Sequence, residues 1–165
     1  GHATIIEEVN EKPGAIVVSV GGGGLLCGVL EGMHRVGWKD VPVIAVETEG
    51  AASFAASVEA GRLVTLDGIN SIAITLGART VTQKALDWTK HHSITPSTVS
   101  DKEALEACRR FADDHRILVE PACGAALAAV YTRADPIVGK SPILVIVCGG
   151  AGVSLQLLDK WEAQV

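Results

Sequence analysis

Apolar runs rich in Val and Ile alternate with helix-patterned segments along this chain. That alternation predicts an α/β fold, a doubly wound parallel sheet with helices on both faces. Three observations carry the prediction. Residues 15–20, 41–47 and 143–147 are short β-branched runs next to Gly or Pro, the pattern of strands buried on both sides. Aromatic residues make up 4% of a chain that is 48% hydrophobic, so the core must be built from Val, Leu, Ile and Ala. Two glycine clusters, at residues 21–24 and 149–152, each stand between a strand pattern and a helix pattern.

The elements follow in order. Helical periodicity over 4–11 stops at Lys12-Pro13-Gly14, a strong breaker. Strand 15–20 leads through the first glycine cluster into a helix over 25–35. Strand 41–47 carries Pro42 near its start, where proline is tolerated. A small Ala-rich helix is expected over 51–60, then a long irregular connection over 61–80 that packs on the sheet near a site. A helix covers 81–91, and Thr98-Val99 reads as a short strand. Ser100 with Glu103 three residues later forms a capping box for a helix reaching Asp114. Ile117-Leu118-Val119 reads as a short strand. Pro121 occupies the favoured first turn of an Ala-rich, buried helix that ends near Arg133. Strand 143–147 ends in the second glycine cluster, and a last helix begins near Ser154.

The 165 residues suit one domain or one lobe of a larger enzyme, and a mean hydropathy of +0.33 supplies a real core. The net charge of −5, with no basic stripe carrying interleaved aromatics, argues against nucleic acid as a partner. No apolar run is long enough to span a bilayer, and none resembles a signal peptide. Cys27, Cys108, Cys123 and Cys148 lack zinc-site spacing and fall in apolar segments, as free buried thiols of a cytoplasmic protein would. The chain opens Gly1-His2-Ala3-Thr4, without Met and directly in helical periodicity. This predicts a piece of a longer polypeptide or a cleavage product.

Ser19-Val20-Gly21-Gly22-Gly23-Gly24-Leu25-Leu26-Cys27-Gly28 is the most informative stretch. Four glycines between strand and helix leave backbone N–H groups unshielded by side chains. Aimed at a helix N-terminus, such a turn holds a phosphate through its amides and the helix dipole. No Gly-Lys-Ser/Thr follows, so the stretch is not a Walker loop. Gly22 and Gly24 fit only part of a dinucleotide fingerprint. A packed turn without ligand is the alternative.

Three segments together go further: the tetraglycine stretch, Ile117-Leu118-Val119-Glu120-Pro121-Ala122-Cys123-Gly124-Ala125-Ala126-Leu127-Ala128-Ala129, and Val145-Ile146-Val147-Cys148-Gly149-Gly150. In this order they resemble the animal-type L-serine dehydratases, also acting on L-threonine, of the fold-type II pyridoxal-phosphate enzymes. Val41-Pro42-Val43-Ile44-Ala45-Val46-Glu47-Thr48 fits the same family, and the resemblance covers nearly the whole chain. It implies conversion of serine to pyruvate and ammonia, or of threonine to 2-oxobutyrate and ammonia, with a pyridoxal 5'-phosphate cofactor. It also implies a homodimer, or pairing with a missing N-terminal part.

Residue roles carry over from the resemblance one by one. Gly21, Gly22, Gly23, Gly24 and Leu25 would hold the cofactor phosphate, and Cys148 would face the pyridine nitrogen. From position alone, Cys148 reads first as a small buried hydrophobe. Glu47, with the carbonyls of Gly21, Ala51, Leu76 and Ala78, would ligate a monovalent cation such as K+, whose hardness suits an all-oxygen shell. Taken without the resemblance, Glu47 reads as a solvated strand-end carboxylate. Thr75 lies near where substrate and cofactor meet. Glu120 precedes a helix N-terminus, where its charge is favoured. The histidines offer little: His91 and His92 fall at a helix end and would meet its last carbonyls, while His34 and His115 read as surface.

The family's Schiff-base lysine lies upstream in a Ser-x-Lys context that this chain does not contain. Lys12, Lys39, Lys84, Lys90, Lys102, Lys140 and Lys160 all fall in loops or on polar helix faces, where nothing lowers a lysine pKa. Residues 1–165 therefore read as the C-terminal part of the cofactor-binding large domain, without the small domain and the lysine segment. Two alternatives stay open: an inactive fragment or pseudoenzyme that binds pyridoxal phosphate or phosphate non-covalently, and a Rossmann-type nucleotide module that would use Glu47 as its acidic residue.

Overall fold

The computed structural model describes all 165 residues, Gly1–Val165. Four parallel strands, β1 (Ala15–Ser19), β2 (Val43–Thr48), β3 (Ile94–Val99) and β4 (Ile143–Val145), form one sheet in the order β3-β2-β1-β4. Seven helices accompany it: α1 (Thr4–Glu7), α2 (Gly24–Arg35), α3 (Ser53–Ala60), α4 (Gln83–Trp88), α5 (Asp101–His115), α6 (Pro121–Tyr131) and α7 (Leu155–Glu162). The doubly wound parallel architecture is the one the strand–helix alternation predicts.

Strand periodicity sorts the core into two layers. Ala15 and Val17 of β1, with Ile44 and Val46 of β2, pack into a cluster with α5 and α6. Their neighbours Ile16 and Val18, with Val43 and Ala45, face the other way onto Leu26, Leu30 and Met33 of α2. Side chains alternate across a strand, so a run that is apolar at every position must be covered on both sides. α6 is apolar all round and buried from Pro121 through Ala129, because it lies between α5 and the sheet. Gly124 makes this packing possible: a Cβ there would collide with Cys108 and the Ala104 carbonyl of α5. The capping box forms as predicted, Ser100 Oγ accepting from the Glu103 amide at 3.2 Å and Glu103 Oε2 accepting from the Ser100 amide at 2.7 Å.

Several boundaries depart from the sequence reading. The 4–11 helix closes after Glu7, and the 51–60 helix starts at Ser53 behind a 3-10 turn, Glu49–Ala51. The 81–91 helix is Gln83–Trp88. β3 runs six residues rather than two. It is an edge strand with only Val99 buried, which accommodates Pro96 and lacks an apolar run. Residues 117–119 are not a strand: next to them the Glu120 amide donates to the Gly149 carbonyl at 3.2 Å, and Ile117 is exposed. β4 ends at Val145, two residues early.

The histidine expectations also change. His92 is buried, its Nε2 2.7 Å from the Val41 carbonyl and its Nδ1 3.2 Å from His34 Nε2. His34 is half-buried, edge-on to Trp88 at 4.8 Å between centroids. The pair bridges the end of α2 to the start of β2. No helix is long and apolar enough to cross a membrane.

Candidate active site

β1 connects outward to β2 on one side, while β4 lies on its other side, so the carboxyl ends of β1 and β4 mark a topological switch point. A cleft of about 320 Å³ opens there. Its walls include the first glycine turn, Ser19, Thr75, Glu120 and Cys148.

The glycine turn is built for close approach. Gly23 has φ +89°, and a Cβ on it would fall 2.7 Å from the Ala85 Cβ, so only glycine fits. The Gly22 carbonyl accepts from the Thr82 amide at 3.0 Å, and the Gly23 carbonyl from the Cys27 amide at 2.9 Å. Their amides stay free: the N–H groups of Gly22, Gly23, Gly24 and Leu25 donate to no protein acceptor at the start of α2. A Cβ on Gly24 would meet nothing within 4 Å. The cradle is thus open on the cleft side and fixed behind. Gly21 is set by the other wall, since a Cβ there would come 3.2 Å from Leu76 Cα and the Thr75 carbonyl. This contact brings the 61–80 connection to the site, as its position predicts.

Ser19 Oγ is buried and without a protein partner while it lines the cleft. An orphaned buried hydroxyl costs free energy unless something supplies a hydrogen bond. Free amides at a helix N-terminus and this hydroxyl together fit a phosphorylated ligand such as pyridoxal phosphate. Nothing in the sequence marked Ser19 except its place at the end of β1.

Cys148 is exposed rather than buried, the one departure among the four cysteines' expected settings besides half-buried Cys27. Its turn packs onto the 118–120 segment, where a side chain on Gly150 would strike the Leu118 carbonyl. The neighbouring Cys123 thiol lowers the Cys148 pKa to about 7, and Cys148 in turn raises that of Cys123. Cys108, sealed between α5 and α6, is pushed up to about 12 by burial. Glu120 Oε2 accepts from Thr75 Oγ1 at 3.0 Å and Oε1 from the Gly152 amide at 3.4 Å. The carboxylate therefore ties the long connection to the second glycine turn.

Glu47 is fully buried, not solvated. Its two oxygens each accept a 2.8 Å hydrogen bond, from the Phe54 and Ala55 amides at the start of α3. Burial pushes its carboxyl up to about 7 against those two bonds. It takes part in none of the chain's ion pairs. Fully buried and outside the cleft lining, Glu47 does not face a ribose bound there, which removes the support for a nucleotide module. Of the other candidate cation ligands, Ala51 is buried beside α3, and the Leu76 carbonyl accepts from the Ala78 amide at 2.7 Å. Gly21 and Leu76 touch, as noted. No cluster of three His, Cys, Asp or Glu side chains gathers anywhere, so a cation here would depend on carbonyl oxygens.

Known proteins resemble this chain over its whole length. The family model described as pyridoxal-phosphate dependent enzyme matches residues 1–149. Over its full length the chain is 52% identical to the L-serine dehydratase/L-threonine deaminase of Bos taurus, covering 54% of that protein. It is 47% identical to a serine dehydratase-like protein of Rattus norvegicus, again covering 54%. The crystal structure of a fungal L-serine ammonia-lyase from Rhizomucor miehei superposes with a TM-score of 0.94 at 44% identity, over 99% of this chain and 55% of that one. The chain spans about half the length of the curated relatives it matches.

Proposed function

We propose the following function for this chain, which belongs to the family of pyridoxal-phosphate dependent enzymes: it is the C-terminal part of an L-serine/L-threonine dehydratase. The parent protein converts serine to pyruvate and ammonia, or threonine to 2-oxobutyrate and ammonia. The observation that carries this reading is the open amide cradle of Gly22, Gly23, Gly24 and Leu25 beside the orphaned Ser19 hydroxyl. The names of the relatives, a serine dehydratase/threonine deaminase and a serine ammonia-lyase, support the substrate class.

When bound, pyridoxal phosphate supplies the electron sink that lets the α-proton and then the β-hydroxyl leave the amino acid. This chain's residues do the rest of the holding. Gly21 sets the turn against Leu76, and the four amides after it carry the phosphate charge at the dipole of α2. Cys148 in the cleft wall would hold a thiol, not a carboxylate, toward the cofactor's ring nitrogen and so would leave that nitrogen without an anionic partner. Glu120 fixes Thr75 at the cleft, where the substrate side chain would lie. The lysine that holds the cofactor comes from a segment outside these residues, together with the small domain.

A monovalent cation, K+ by its chemistry, would sit between Glu47 and the carbonyls of Gly21, Ala51, Leu76 and Ala78. A buried carboxylate with no cationic partner is the support for it. The parent would act in the cytoplasm as a homodimer. The test is the serine-dependent release of pyruvate and ammonia by the parent protein. Activity that disappears on substitution of Gly22 or Gly24 bears the reading out. A parent that takes up pyridoxal phosphate yet eliminates from neither serine nor threonine overturns it.

A further inference from the structure

The cleft wall that carries Thr75 and Leu76 belongs to a connection whose only regular element is a 3-10 turn, Ile74–Leu76. Its position has to be imposed from outside, and two carboxylates hold it. Glu120 accepts from Thr75 Oγ1 at the cleft. Asp101, in the first turn of α5 and outside the cleft lining, grips the same segment at Ser71 and Ile72. Asp101 Oδ1 accepts from the Ser71 hydroxyl, and Oδ2 accepts from the Ile72 amide at 2.9 Å. The Ser71 hydroxyl has its full set of bonds. Its one proton goes to Asp101, so Thr48 Oγ1 must donate across the 2.8 Å contact with Ser71 Oγ. The other lone pair accepts from the Ala73 amide at 3.0 Å. Thr48 is fully buried at the end of β2, so the bonds run from the sheet through Ser71 to the start of α5. Before Ser71, the Asn70 amide donates to the Gly50 carbonyl at 3.0 Å. Between Asn70 and Thr75, Thr48 and Asp101 are the only residues outside the segment that bond to it.

We propose that Asp101, acting through Ser71 and Ile72, is a positioning residue for the cofactor cleft. The consequence for the cofactor rests on the function proposed above; the coupling to Thr75 and Glu120 does not.

A carboxylate suits this place. It offers acceptors to two donors at once, and its charge is favoured in the first turn of a helix. Ile72 and Ala73 are buried, which keeps the segment on the core. Apolar contact is non-directional, however, and does not fix where along the wall the segment stops. Charge-assisted hydrogen bonds are directional and do. What they set is the distance of the wall from the glycine turn. Gly21 leaves no slack there, since a Cβ on it would fall 3.2 Å from both Leu76 Cα and the Thr75 carbonyl. Inward drift of residues 75–76 would press on the residue that opens the amide cradle. Outward drift would leave Gly21 unbraced and draw Thr75 Oγ1 away from Glu120.

The test compares Asp101→Asn and Ser71→Ala with the wild-type full chain. Asparagine keeps the shape of Asp101 but sets an NH2 group against one of its two donors. Ser100→Ala is the control: it removes the cap of the same helix, and Ser100 bonds to neither Ser71 nor Ile72. In fluorescence titrations with pyridoxal phosphate, Asp101→Asn and Ser71→Ala should bind at least about fivefold more weakly than wild type. Ser100→Ala should bind as wild type does, although urea unfolds it earlier. The second readout is the coupling between Thr75→Val and Glu120→Ala in urea titrations. It should vanish in the Asp101→Asn background and persist in the Ser100→Ala background. Coupling that survives Asp101→Asn overturns the proposal. So does a Ser100→Ala chain that loses cofactor affinity as far as Asp101→Asn does, because the effect is then only the stability of α5. Lost coupling with undiminished cofactor affinity overturns the effect on the cleft. Wild-type chain that takes up no cofactor defeats the proposed function instead, while the coupling still decides the role of Asp101.

Discussion

Thr75 Oγ1 donates a 3.0 Å hydrogen bond to Glu120 Oε2, joining residues 45 apart in sequence at the mouth of the cleft. The same carboxylate accepts from the Gly152 amide, so one side chain gathers the 61–80 connection, the start of α6 and the second glycine turn. The bond is solvent-exposed. Its net contribution to stability is therefore at the low end for a hydrogen bond to a charged group.

Thr75→Val should lower the unfolding free energy by less than about 1 kcal/mol in urea titrations. Glu120→Ala should cost more, because it also frees the Gly152 amide. The double variant should fall short of the sum of the two, by a coupling of about 0.5 kcal/mol or more, since the residues share one interaction. Strict additivity would mean that the bond contributes nothing in solution.

Glu47 carries a signed pH dependence. Its carboxyl, ordinarily near 4.5, is raised to about 7 by burial. The neutral form is thus favoured in the folded chain. The associated stability is fully present below about pH 4.5 and is lost as pH rises through about 7, an effect of about 3 kcal/mol. A bound K+ would offset that loss. Melting temperatures should therefore rise with KCl over choline chloride at pH 8 and be unaffected at pH 5. Glu47→Gln should abolish the potassium effect. Equal melting temperatures in the two salts at pH 8 would count against the cation site.

His92 works in the opposite direction. Burial lowers its pKa from the ordinary 6.5. Its Nε2–H donates to the Val41 carbonyl, which leaves Nδ1 to accept from His34 Nε2–H. A proton on Nδ1 would face the His34 N–H and part the pair. The stability held by neutral His92 is present above pH 6.5 and lost as pH falls below it. Between pH 6.5 and 5, the unfolding free energy of His92→Gln should change less than that of the wild type toward acid destabilisation. Parallel pH profiles for the two proteins would refute this.

Much of the fold could be read from the sequence, because its strongest local signals agree with the tertiary structure. The apolar run of β1, the tetraglycine turn, the Ser100–Glu103 capping box and Pro121 at the first turn of α6 are each local in cause. β3 was hard to see because an edge strand buried at one residue needs no apolar run. Residues 117–119 misled for the converse reason, a β-branched stretch with no ladder to join. At the site, the glycine cradle and Cys148 are brought together as their places at strand ends predict. The burial of Glu47 and the orphaned Ser19 hydroxyl arise from contacts between distant segments. A linear pattern does not encode such contacts.

We propose that the amides of residues 22–25 hold the phosphate of pyridoxal phosphate. The most direct test is a fluorescence titration of the cofactor into wild type and Gly24→Ala, with inorganic phosphate as competitor. Gly24 opens onto free space at the start of a helix, so alanine there should fold normally while its methyl obstructs the cradle. Saturable binding that phosphate displaces is expected, weakened at least about tenfold in Gly24→Ala, the loss of roughly one charge-assisted hydrogen bond. Binding that ignores both phosphate and the methyl group would place the cofactor away from this glycine turn.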